Sequence, residues 1–193
     1  GHSEALLRPG LMYSKKENYE KAIPVIERAV TILSQLPPDE DLDIAFKDLG
    51  IVLENATNYD SALSRFKHAA ELSRTLNQSE LMGEQYLNIG RVYDLRLNQY
   101  TAAIQNYEKA LEIFTTAEDF EKIAESKLNI GRCYRLLGNF AEADRFYEQS
   151  MSLIDSKTPD QLMLKVKILI EQANNAWFQG RYEEAFKRQR QCY

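Results

Sequence analysis

Two trios of polar side chains recur along the chain: Glu84, Asn88 and Arg91, then Glu125, Asn129 and Arg132. Intervals of four and three put each trio on one side of a helix. Asp94 and Arg135 follow one turn further along. An Asn amide both donates to and accepts from a peptide backbone, and an Arg guanidinium grips a carboxylate with two parallel hydrogen bonds. The chemistry on offer is recognition of an extended, acidic or carboxylate-ended peptide. A plainer reading stands beside it: Arg91 and Arg132 pair with Glu84 and Glu125 on a solvated face, and repeat duplication alone copies the trio.

No catalytic constellation accompanies these residues. The chain has no GxxxxGK[ST] phosphate loop, no HExxH, no GxSxG and no CxxC. Neither a metal nor a cofactor is expected, and the chain reads as a non-enzyme. Cys133 and Cys192 share no short spacing with each other or with His2 and His68, which supports neither a zinc site nor a disulfide framework. Two free thiols suit a reducing cytoplasm. Cys133 reads as a small buried residue, and His68 as a surface or packed structural residue. The acidic run Asp39, Glu40, Asp41 and Asp43 reads as a loop entering a helix, where carboxylates are favourable.

The net charge of −5 gives no positive field to hold a phosphate backbone or an anionic membrane, so no nucleic-acid or membrane partner is expected. The stretch from Met163 to Ile170 is interrupted by Lys165 and Lys167 and falls far short of the roughly 20 apolar residues that span a bilayer. No signal peptide is recognisable.

The elements that must position the trios emerge when the sequence is slid against itself. Leu87-Asn88-Ile89-Gly90-Arg91 with Tyr93 recurs 41 residues on as Leu128-Asn129-Ile130-Gly131-Arg132 with Tyr134. Gly10, Gly50, Gly90, Gly131 and Ala173 form one series, with steps of 40, 40, 41 and 42. A second series runs Tyr19-x-x-Ala22, Tyr59-x-x-Ala62, Tyr100-x-x-Ala103, Phe140-x-x-Ala143 and Tyr182-x-x-Ala185. Each unit is therefore two helices, with small residues where the backbones approach and aromatics filling the space between. Asn18, Asn58, Asn98, Gly138-Asn139 and Gly180 are expected to supply the left-handed turns between them. One extra residue between Tyr93 and Tyr100 predicts a lengthened turn near Arg96 to Gln99.

This pattern resembles the tetratricopeptide repeat family. Phe46, Leu49-Gly50, Tyr59, Ala62, Phe66 and Ala69 carry the resemblance in one unit, and Tyr86, Ile89-Gly90, Tyr93, Tyr100, Ala103, Tyr107 and Ala110 in the next. It implies an all-α fold, a right-handed α-solenoid of about five antiparallel helix pairs. The whole chain, 1–193, would be a single array with units near 3–36, 42–77, 82–118, 123–156 and 162–193. The period near 40 exceeds the family's usual 34; it implies longer helices and is similar to the extended variety in spindle-orienting scaffolds and bacterial signalling regulators. The resemblance also implies that first helices line a concave face where a partner lies. Glu84, Asn88, Arg91, Asp94, Glu125, Asn129, Arg132 and Arg135 would then form the partner-binding patch. A cochaperone-type carboxylate clamp is not expected, because Leu7, Leu87 and Leu128 stand where it needs basic residues.

The leading reading is thus a cytoplasmic scaffold or adaptor that binds protein. The alternatives are a regulatory or sensor region of a larger signalling enzyme or transcription regulator, and a solenoid that self-associates through uncapped ends. Pro9 is expected in a first turn, which would shorten the first helix. Trp177 with Phe178 could anchor a ligand peptide, but the pair is expected instead to pack the fifth unit on the fourth. Gly1-His2 reads like a tag-cleavage remnant, and the pattern stops inside a helix at Gln191-Cys192-Tyr193, so a fragment with a truncated last unit is expected.

Overall fold

The computed structural model describes residues 2–155 and 157–191; Cys192 lies outside them. Among the described residues there are ten α-helices and no strand: α1 (His2–Lys15), α2 (Tyr19–Leu33), α3 (Glu40–Asn55), α4 (Tyr59–Thr75), α5 (Ser79–Leu95), α6 (Tyr100–Thr116), α7 (Phe120–Leu136), α8 (Phe140–Met151), α9 (Pro159–Phe178) and α10 (Tyr182–Arg190). The protein is all-α. Helix starts follow local chemistry. The Asp39 carboxylate accepts from the Leu42 N–H at 3.1 Å, with Glu40, Asp41 and Asp43 in the first turn it opens. The Thr158 hydroxyl does the same for Gln161, ahead of Pro159 in the first helical turn.

The chain forms two compact units, Gly1–Arg96 and Leu97–Tyr193. In the first, α1 packs on α2, α3 on α4, and α5 on α4. In the second, α6 packs on α7, α7 on α8, α9 on α10, and α9 lies against both α7 and α8. The reason for the recurring glycine is visible in each unit. A Cβ on Gly50 would stand 2.6 Å from Cε1 of Phe66, and one on Gly131 would stand 2.7 Å from Cε1 of Tyr147. Phe66 and Tyr147 are fully buried, so neither ring can yield. The aromatic of the second helix therefore fits only where the first helix carries no side chain. In the second unit Tyr147 joins Ala124, Leu128, Ala143, Leu164 and Ile168 in one core that ties three helices together.

Three residues join the helices of four pairs, whereas α5 and α6 are joined by four, Arg96 to Gln99. The extra residue of the sequence is thus a lengthened turn. The left-handed positions differ from expectation by one residue in two turns. Glu17 (φ 57°) and Thr57 (φ 63°) take that conformation, while Asn18 and Asn58 cap α2 and α4 with φ near −90°. An Asn is favoured at both kinds of position, so its presence marked the turn without fixing the register. Asn98, Gly138 and Gly180 are left-handed as expected.

Pro9 corrects a further expectation, since it lies inside α1 and not in a first turn, as Pro24 lies inside α2. Both prolines are exposed, and the carbonyls they deprive of a donor, Ala5 and Glu20, are also on exposed residues where water can serve. His68 is exposed, with its ring 5.7 Å from that of Phe46, and Cys133 is a fully buried thiol. Both match the structural roles expected of them.

Candidate partner-binding surface

The α5 trio sits on a half-buried face. Asn88 donates through Nδ2 to Oε1 of Gln85 at 3.3 Å. Arg91 does not pair with Glu84. Its Nη2 donates to Oε2 of Glu54 on α3 at 2.8 Å, and Nε of Arg96 reaches the other oxygen of the same carboxylate at 3.1 Å. Glu54 is 3% exposed, whereas the two guanidinium side chains are 38% and 41% exposed. One buried negative charge thus holds two cations whose outer N–H edges still face water.

The α7 trio has the same residues in a different network. Glu125 is taken by Lys122 Nζ at 3.0 Å, one turn back on its own helix. Asn129 and Arg132 are half-buried. Arg135 donates through Nε and Nη2 to one oxygen of Glu171 on α9, at 3.2 and 2.8 Å, and its guanidinium stands 5.7 Å over the Phe178 ring. Beneath it, burial and the nearby Glu171 charge push the Tyr147 phenol well above its ordinary value, against the pull of Arg135 and Arg132. That hydroxyl therefore stays protonated at any physiological pH.

Two members of the expected patch are not open surface. Asp94 is 2% exposed, and Arg135 has only 10% of its side chain exposed and is committed to Glu171. Long side chains on tightly stacked helices reach sideways to the next pair, which converts a surface position into an interhelical one. Glu84, Asn88, Arg91, Glu125, Asn129 and Arg132 retain partly exposed side chains. The sequence reading missed Glu54 and Glu171. A signal for Glu54 existed: it stands four residues after Gly50, as Asp94 stands after Gly90 and Arg135 after Gly131.

Two carboxylates of α3, Asp43 and Asp48, have raised pKa. Burial pushes Asp43 up from its ordinary value; the Ser73 hydroxyl, donating to Oδ1 at 2.9 Å, and Lys47 oppose this, while Glu84 and Glu40 add to it. Burial likewise raises Asp48, opposed by Lys47. Each group binds its proton at a higher pH in the folded chain than in the unfolded one, so between those pH values the folded state holds more protons. Stability therefore rises as pH falls from neutral through the folded pKa values, and levels off near the unfolded value of about 4. Thermal melts of Asp43→Asn between neutral pH and that value are expected to show a higher Tm at neutral pH and a flatter rise on acidification. An unchanged slope would contradict the assignment.

The tetratricopeptide repeat profile matches residues 3–75, 81–156 and 122–193, which together span nearly the whole chain. The chain belongs to the tetratricopeptide repeat family. Solved structures show the same fold. BtubC (BKLC) from P. vanneervenii matches with TM-score 0.81 at 16% identity, over 95% of this chain and 75% of that one. A putative kinesin light chain of nearly identical TPR-like repeats from Podosopora anserina gives 0.77 at 17%, over 100% and 94%. The apo form of RapI gives 0.73 at 18%, over 98% and 63%. A comparison with curated proteins returns no match. At these identities the likeness to solved structures establishes the tetratricopeptide solenoid fold alone, while membership of the family carries the general association of such repeats with protein–protein interaction.

Among the described residues, no group of three or more His, Cys, Asp or Glu side chains could hold a metal ion. No described helix is long and apolar enough to cross a membrane. Trp177 and Phe178 depart from the role expected of them. Trp177 is 52% exposed and packs against Tyr182 and Phe186 within its own helix pair, with centroids 4.8 and 6.2 Å away. Phe178 is 64% exposed, with the Arg135 guanidinium of the preceding pair over its ring.

Proposed function

We propose that this tetratricopeptide chain is a non-enzymatic interaction module of one five-unit array. It binds an extended or helical segment of a partner along its first helices, through Asn88, Arg91, Asn129 and Arg132, with Glu84 and Glu125 flanking them. The observation that carries this reading is the pair of half-exposed guanidinium groups, Arg91 and Arg96, held by the single buried carboxylate of Glu54. The carboxylate fixes the side chains, so little rotamer entropy is lost on binding, and the guanidinium N–H edges that still face water are left to donate to the ligand. Asp94 and Arg135 serve within the protein and do not touch the partner. The ligand chemistry that fits is an acidic or carboxylate-ended peptide, and a cytoplasmic adaptor or signalling role follows from that reading.

Peptides selected on the intact chain, each made with a free carboxylate and as the C-terminal amide, test this. The free acid is expected to bind about tenfold tighter, and Arg91→Ala with Arg132→Ala is expected to remove that preference with helicity intact. Arg96 remains to hold Glu54 in that variant, so the buried carboxylate is not stranded. Equal affinity for acid and amide, or an unchanged preference in the variant, would sink the reading. A second reading, a regulatory segment of a larger signalling protein, draws on the likeness to RapI and to aspartyl phosphate phosphatase F from Bacillus subtilis, whose chains are covered over 63% and 58%.

A further inference from the structure

Two residues before the recurring glycine, α5 and α7 carry Asn88 and Asn129, whereas α3 carries Asp48. The rest of the stripe changes with it. Where α5 has Glu84, Asn88 and Arg91, α3 has Ile44, Asp48 and Ile51 at the same intervals of four and three. All three are half-buried, so they share one partly open face of α3. Asp48 is the odd member. Among the described residues it has no hydrogen-bond or ion-pair partner: Lys47 beside it acts only through space, and Arg8, in the same register of α1, forms no ion pair with it. The other carboxylates that α3 buries are served, Asp43 through Ser73 and Glu54 through Arg91 and Arg96.

A half-buried carboxylate without a partner loses hydration and gains nothing inside the chain, which is why burial raises its pKa. A neutral side chain is the more stable choice at such a position, and stability given up in this way is typical of functional sites. The surroundings say what would satisfy the group. Ile44 and Ile51 lie about one turn to either side and offer apolar surface to an alkyl stem, and the carboxylate between them accepts from an ammonium or guanidinium head. Six residues further along α3, a rise of about 9 Å, Glu54 holds the Arg91 and Arg96 guanidinium groups. A cation-accepting and an anion-accepting group thus stand on the same helix.

We infer that the face of Ile44, Asp48 and Ile51 is a subsite for a lysine or arginine side chain of the partner peptide, on the chain about three residues before the carboxylate that Arg91 receives. The spacing follows from the rise between the two sites and the roughly 3.3 Å that each residue of an extended peptide spans. The inference rests on the first-helix reading proposed above and narrows the ligand it names. The partner segment carries a basic residue and a free carboxylate in fixed order, and a segment that is acidic throughout is rejected by Asp48.

The probe is a library of synthetic peptides with free C-termini, randomised over their last residues and selected on the intact chain. Lysine or arginine is expected to be enriched about three residues before the carboxylate, and glutamine in its place to weaken binding about tenfold. In Asp48→Asn that loss should disappear, with circular dichroism unchanged because the substitution removes an unpaired charge. Asp48→Lys should turn the selection toward aspartate or glutamate at the same place. Peptides that keep the free-acid preference but favour no basic residue would overturn the inference and leave the first-helix reading standing. So would an equal loss with glutamine in the native chain and in Asp48→Asn. Peptides indifferent both to Asp48→Asn and to Arg91→Ala with Arg132→Ala would overturn the two together.

Discussion

Replacing Phe66 with alanine is expected to lower the unfolding free energy by about 3–5 kcal/mol, measured by urea titration. The ring is fully buried and fills the space opposite Gly50, so its loss removes the transfer energy of an aromatic and leaves a cavity that rigid helices cannot close. The reciprocal change, Gly50→Ala, overpacks the same contact and is expected to cost about 1–3 kcal/mol. The two sites share one space, so Gly50→Ala combined with Phe66→Leu should cost less than the sum of the single changes. Strict additivity would mean that the glycine is there for some reason other than the ring.

The other large effect belongs to the Arg135–Glu171 pair. Its side chains are 10% and 18% exposed, so removing one partner strands a largely dehydrated charge. Glu171→Ala is expected to cost about 2–3 kcal/mol, a little under the range for fully buried pairs. Arg135→Met with Glu171→Leu should recover most of that loss, because a well-packed apolar pair is often as stable as the ion pair it replaces. Recovery by the apolar pair would show that the contact is structural, as its burial implies. A large loss in the double variant would mean that the charges do more than satisfy each other.

The fold was legible because its cause is local and periodic. Small residues at Gly50 and Gly131, and aromatics at Phe66 and Tyr147, must recur together wherever two helices cross closely, so the spacing carried the architecture. The partners of the charged residues were not legible in the same way. Arg91 finds Glu54 and not Glu84 because the deciding distance runs between neighbouring helices, 37 residues away along the chain. The trio repeated in α5 and α7 implied equal roles, yet Glu125 is held by Lys122 and Arg91 by a residue of α3. Identity of type fixed the side chains on offer, and the neighbouring helix fixed what each one does. Trp177 read as packing because aromatics usually bury, yet its side chain is 52% exposed and meets Tyr182 and Phe186 of its own pair.

The central claim is that the partner lies along the first helices. Hydrogen exchange of the intact chain, with and without a peptide selected on it, tests this most directly. Binding along that face should slow exchange across residues 84–95 and 125–135, and Arg91→Ala with Arg132→Ala should erase the protection. Protection confined to α4, α6 and α8, with residues 84–95 and 125–135 unchanged, would contradict the account.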